Sequence, residues 1–186
     1  MDLISLFDTA DGEFSARLHA VRDDQWTEQT PCSDWDVRGL VNHMVYEYLW
    51  MPELLGGATI AEVGTRFDGD VLGADPLRAW TSASRAAGEA IASTPLDKMI
   101  NVSWGQIPAD EYIGQFVTDV AVHGWDLAKG IGYDDTIDPT VVAELLPVVE
   151  GNAAALTASG MFGSPVEVPA AADPQTRLLA HLGRRR

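Results

Sequence analysis

Basic side chains, cysteine and long apolar runs are all scarce in this 186-residue chain, and each shortage excludes something. The single cysteine, Cys32, cannot close an internal disulfide, so a reducing compartment is expected. Lys and Arg number 12 against 28 Asp and Glu, a net charge of −16. That balance repels phosphate backbones and anionic lipid, so neither nucleic acid nor a membrane surface is an expected partner. No run approaches the roughly 18 apolar residues of a membrane span. The start, Met1-Asp2-Leu3-Ile4-Ser5-Leu6-Phe7-Asp8, lacks the basic lead and apolar stretch of a signal peptide. A cytoplasmic protein is expected. Also missing are a P-loop, a Rossmann glycine pattern, a Gly-x-Ser-x-Gly elbow and a Cys-x-x-Cys pair.

What remains is an ordinary globular composition, 46% hydrophobic and 22% charged. The length suits one domain over residues 1–186, since no linker or fixed-period repeat divides it. Leu3, Leu6, Phe7, Phe14, Leu18 and Val21 recur at helical spacing over residues 2–22. Ser33 and Asp36 resemble a capping box ahead of a second helix striped by Val37, Leu40, Val41, Met44, Val45, Tyr48 and Leu49. Pro52 or Gly56-Gly57 is expected to end it. Residues 57–74, rich in Gly and Asp, read as a long connection of the kind that borders a site and moves without ligand.

Asp75-Pro76 opens a third helix with Leu77, Trp80, Ala83, Ala87 and Ile91 on one face. Residues 100–104 suit a short extended segment, and a fourth helix runs from about Ala109 to Lys129. A fifth follows Asp138-Pro139, then a Pro-, Gly- and Ala-rich stretch over 160–174, then a short helix over 174–182. The sum is an all-α protein, a four-helix bundle with short C-terminal additions.

The fourth helix carries the chemistry. Asp119 and His123 are four apart and stack on one side, at the edge of the core stripe of Ile113, Phe116, Val120 and Leu127. A carboxylate and an imidazole at that spacing can chelate one divalent ion from a single rigid helix. The plain alternative is a half-buried histidine bonded to an acid one turn away. On the second helix, His43 lies off the main stripe, beside Glu47 and in line with Gly39, Tyr46 and Trp50. Aromatic residues beside a histidine indicate a face turned to another helix or a cavity. A third ligand from a second helix would complete an open metal site. His19, His181 and Cys32 carry no comparable pattern.

Three segments resemble one family. Thr30-Pro31-Cys32-Ser33-Asp34-Trp35-Asp36-Val37-Arg38-Gly39-Leu40-Val41-Asn42-His43 is similar to its TPC-x-DW-x-V-x-x-LVNH motif. Val122-His123-Gly124-Trp125-Asp126-Leu127-Ala128 matches its VHGWDLA motif, and Phe162–Val166 with Arg177–Arg184 is similar to its close. The chain resembles the actinobacterial proteins related to the N-terminal domain of mycothiol-dependent maleylpyruvate isomerase, within the DinB/YfiT-like superfamily of metalloenzymes.

That resemblance implies a DinB/YfiT-like four-helix bundle holding a divalent metal, commonly zinc, with nickel or another ion as alternatives. The ligands fall on His43, Asp119 and His123, the residues that spacing also selects. Asp126 is placed behind them, orienting a ligand or substrate. The isomerase carries Glu in place of Asp119 and a further C-terminal domain that this sequence is not expected to contain, so isomerase activity itself is not carried over.

Three functions follow: a metal-activated low-molecular-weight thiol, mycothiol, attacking a small electrophile; a hydrolase activating water; and a non-catalytic bundle binding a metal or ligand. The aromatic-rich surfaces permit a homodimer. Metal affinity is expected to fall as pH drops through the ordinary histidine range near roughly 6.5.

Overall fold

The computed structural model describes residues 1–159, 162–169 and 171–186. Gly160, Met161 and Ala170, within the stretch read as a Pro-, Gly- and Ala-rich tail, lie outside the described residues. The chain groups into two compact units, residues 2–134, and residues 135–186 with Met1.

The larger unit is all-helical apart from one hairpin. Its elements are α1 (Leu3–His19), α2 (Val37–Gly56), α3 (Ile60–Val63), α4 (Pro76–Ser93), β1 (Met99–Val102), β2 (Gly105–Pro108) and α5 (Ala109–Ile131). Helix α1 packs chiefly on α5 and α2 on α4, with α2 also against α5. These four long helices form the bundle. Their apolar faces meet as the spacing predicts: Val37, Leu40, Met44, Phe116, Val120 and Leu127 are all buried. Trp80 is fully buried, stacks on Phe14 at 4.4 Å and sits against Tyr48 at 4.5 Å. Its indole N–H donates to Ser15 Oγ at 2.6 Å, so the polar edge of the ring is satisfied inside the core.

Several boundaries differ from the sequence reading, for local reasons. Helix α1 ends at His19, not at residue 22, and runs through Gly12, where nothing crowds the backbone. The cap of α2 is Asp36, with Ser33 three residues outside the helix. Asp36 has extended backbone and accepts the Gly39 N–H at 2.7 Å. Pro52 lies inside α2, which runs on to the left-handed Gly57 at φ 104°. Leu77, placed on the apolar face of α4, is 38% exposed. The extended segment is a full hairpin, with Met99 opposite Pro108 and Ile100 opposite Ile107.

The connection between α2 and α4 is tied to α2. Arg38 Nη2 donates to the Asp70 carboxylate at 2.9 Å and to the Gly73 carbonyl at 3.0 Å. Asn42 donates to the Gly69 carbonyl at 3.0 Å and accepts the Val71 N–H at 2.9 Å. Leu72 is buried beneath these anchors.

The smaller unit holds α6 (Pro139–Gly151), α7 (Ala153–Ser159) and α8 (Pro174–His181), with α6 packed on α8. Asp138 caps α6 and Pro139 opens it, as the sequence reading places them.

Candidate metal centre

The site begins with the register of α5. Asp119 and His123 are one turn apart, and the Asp119 Oδ1 to His123 Nε2 distance is 3.4 Å. Beyond His123, the Asp126 carboxylate is fully buried and accepts from His123 Nδ1 at 3.1 Å. With Nδ1–H committed to Asp126, the imidazole has Nε2 left to offer a cation held between it and Asp119. Gly124 lets this turn sit tightly against α1. A Cβ there would lie 3.0 Å from Arg17 Nη1 and 3.7 Å from the Phe14 ring.

His43 reaches the same point from α2. Its Nε2 is 3.6 Å from Asp119 Oδ2, and its ring stands 5.2 Å from that of His123 at 78°. Trp35 stacks on His43 at 4.2 Å and 19°, and meets His123 edge-on at 5.5 Å. The loop carrying Trp35 is fastened to the start of α2 by Val37 N–H to Glu28 O and Arg38 N–H to Trp26 O, both 2.9 Å. Gly39 is needed here, because a Cβ would lie 3.2 Å from Trp35 Cβ.

One ligand atom each from His43, Asp119 and His123 lies within 4.8 Å of the others. The two nitrogen-to-oxygen separations, 3.4 and 3.6 Å, are longer than a good N–H···O bond of about 2.9 Å. Ligands about 2.0–2.1 Å from a tetrahedral zinc stand roughly 3.3 Å apart. Two imidazoles and a carboxylate, one imidazole braced by a further acid, are a donor set whose chemistry suits zinc.

Charge in the metal-free cluster follows from its packing. Burial alone would raise the Asp119 pKa, but the two imidazoles outweigh it and hold the carboxyl well below its ordinary range. Burial alone would lower the His123 pKa. The Asp119 charge, with Asp126, overcomes that and raises it to about 9. The pH window expected from an ordinary histidine therefore moves upward for this ring.

The remaining candidates lie elsewhere. His19 is exposed, its Nδ1–H donating to the Ser15 carbonyl at 2.7 Å. His181, in the smaller unit, is 3.6 Å from Glu150. Cys32 is half-buried in the loop before α2.

Two side chains gain importance that spacing had not given them. Glu47, one turn beyond His43, has its pKa raised to about 7 by burial and by the Asp119 charge, against the pull of both imidazoles. Its i,i+4 relation to His43 was visible in the sequence; its nearness to Asp119 on α5 was not. Trp35 offered no periodic signal, because it lies in a loop.

The N-terminal domain of mycothiol maleylpyruvate isomerase, as a family model, matches residues 7–128, which include Trp35, His43, Asp119, His123 and Asp126. The chain belongs to that family. Two uncharacterized proteins of Mycobacterium tuberculosis are each 32% identical to this chain over 150 residues, 78% of this chain and 76% of theirs. Solved structures of the mycothiol-dependent maleylpyruvate isomerase and of a mutant of it share the family fold. They reach TM-scores of 0.68 and 0.69 at 17% identity, over 89% of this chain and 75% of theirs. No helix among the described residues is long and apolar enough to cross a membrane.

Proposed function

We propose that this family member is a divalent-metal-dependent enzyme that uses a low-molecular-weight thiol, mycothiol, in transfer to or isomerisation of a small electrophile. The observation that carries this is the convergence of His43, Asp119 and His123, one ligand atom each within 4.8 Å of the others, with Asp126 bracing His123 from behind. These three side chains would hold the ion. When bound there, a zinc ion supplies Lewis acidity that lowers the pKa of a thiol into the neutral range. Family membership supports the thiol, since the isomerase is named for its dependence on mycothiol.

The chain's own residues divide the remaining work. Asp126 fixes the His123 tautomer by accepting from Nδ1. Trp35 covers one face of the His43 ring and limits its rotation. Glu47, on the same helix as His43 and within the field of Asp119, offers a carboxylate to accept a proton as a thiol enters the site.

Cobalt substitution tests the reading. Added thiol should give an intense sulfur-to-metal charge-transfer band, and the band should vanish in the His43→Ala, His123→Ala double variant. Stoichiometric metal without such a band would favour activation of water. Stoichiometric metal that survives the double substitution would place the ion elsewhere.

A further inference from the structure

Beside the ligand cluster lies a cavity of about 380 Å³, lined by Trp35, Gly39, Asn42, His43, Tyr46, Asp68 and Gly69. That volume falls in the range of small-molecule sites. The chemistry of its wall is one-sided. Among the described residues, Asp68, exposed on the connection, is the only acidic or basic side chain lining it apart from His43, and no Lys or Arg does so. The guanidinium next in sequence to the lining, Arg38, is engaged by Asp70 and the Gly73 carbonyl. The Asn42 amide is occupied at both ends, giving to Gly69 and accepting from Val71. What remains for a ligand is two aromatic rings, Trp35 and Tyr46, a phenol hydroxyl and a carboxylate.

Behind the wall stand two further acids of the cluster, Asp119 and Asp126. In the metal-free protein a carboxylate ligand would meet the like charges of Asp68, Asp119 and Asp126, with no Lys or Arg in the lining to receive it and the His123 imidazolium already engaged by Asp119 and Asp126. An ammonium group would find a carboxylate partner and ring faces able to make cation–π contacts.

We propose that this cavity is the binding site for an amine-bearing substrate moiety, and that Asp68 with Trp35 and Tyr46 makes it select cations over carboxylates. The inference rests on the proposed function only in treating the bound amine as part of a substrate. Recognition itself belongs to the wall and requires no ion.

The test uses the full chain, prepared both metal-free and zinc-loaded, and three probes on one ring: benzylamine, benzyl alcohol and benzoate. Equilibrium binding is followed by calorimetry and by the Trp35 indole N–H resonance. Benzylamine should bind both preparations, and in the metal-free protein it should bind at least tenfold more tightly than benzoate, with benzyl alcohol between them. Asp68→Asn should remove most of that preference, and Asp68→Lys should invert it, while circular dichroism stays unchanged.

Benzoate binding the metal-free protein as tightly as benzylamine would overturn the proposal, as would failure of all three probes to bind. Selectivity indifferent to both Asp68 variants would overturn it by placing the amine on Asp119. Binding of benzylamine only with zinc present would do the same, by showing ligation to the ion. Loss of zinc retention would instead count against the metal reading and leave the metal-free comparison intact.

Discussion

His123 Nδ1 lies 3.1 Å from Asp126 Oδ2, a buried pair three residues apart on one helix. That bond decides which nitrogen keeps the proton, so in the proposed metal site Asp126 would set the ligating nitrogen without itself touching an ion. Asp126→Asn should keep the fold and weaken zinc affinity by about 10–100-fold. Competition against a chromophoric chelator measures it; unchanged affinity would make the pair purely structural.

Zinc uptake should release protons. With its metal-free pKa raised to about 9, His123 carries a proton at pH 7 that must leave before Nε2 can ligate. Apparent affinity should therefore weaken by about tenfold for each pH unit below 9 from this ring alone. Calorimetry at pH 7 in buffers of different ionisation enthalpy should show about one proton released from His123 per ion.

Stability of the metal-free protein should follow the same ring with the expected sign. A raised histidine pKa contributes stability that is complete below the unfolded value of 6.5 and is lost as pH rises through about 9. Thermal melts should thus decline between those values. The depressed Asp119 carboxyl acts oppositely, contributing above its unfolded value of 3.8 and losing that contribution in strong acid. The zinc-loaded protein should lack the alkaline decline, because both rings are then held neutral.

Glu47 should titrate near 7 in the metal-free protein, read from its carboxyl carbon resonance. A dication bound beside Asp119 would favour the ionised form and move that titration downward. Glu47→Gln should leave zinc retention intact and remove the corresponding limb from a pH–rate profile. A Glu47 resonance that titrates at its ordinary value would remove its role in proton transfer.

Capping supplies a stability test. Asp36→Ala should cost about 1 kcal/mol, because the Gly39 N–H loses its acceptor, whereas Ser33→Ala should be nearly neutral. Denaturant melts of the two variants separate the alternatives.

The bundle was legible because its helices have strong 3.6-residue stripes, and the three candidate ligands because two of them share a turn of α5. Less could be read where partners are distant in sequence or where one side chain competes with another. Ser33 and Asp36 both have capping chemistry; only the loop bonds from Glu28 and Trp26 decide where helical backbone begins. Leu77 has the right residue type for the core, but in the first turn of α4 it is left exposed. The environment of Glu47 arises from α5, more than 70 residues away, and no periodicity within α2 could report it.

Arg38 and Asn42 fasten the Gly69–Gly73 stretch to the helix that also carries His43. His43 and the cavity wall at Asn42 and Gly69 thus share one chassis, while Asp68 sits on the part of the connection just before the fastening. If the cavity selects its ligand as proposed, specificity would drift there as an exchangeable cassette: substitution of Asp68 would alter what enters without disturbing the side chains of α2 and α5, provided the two fastening points persist.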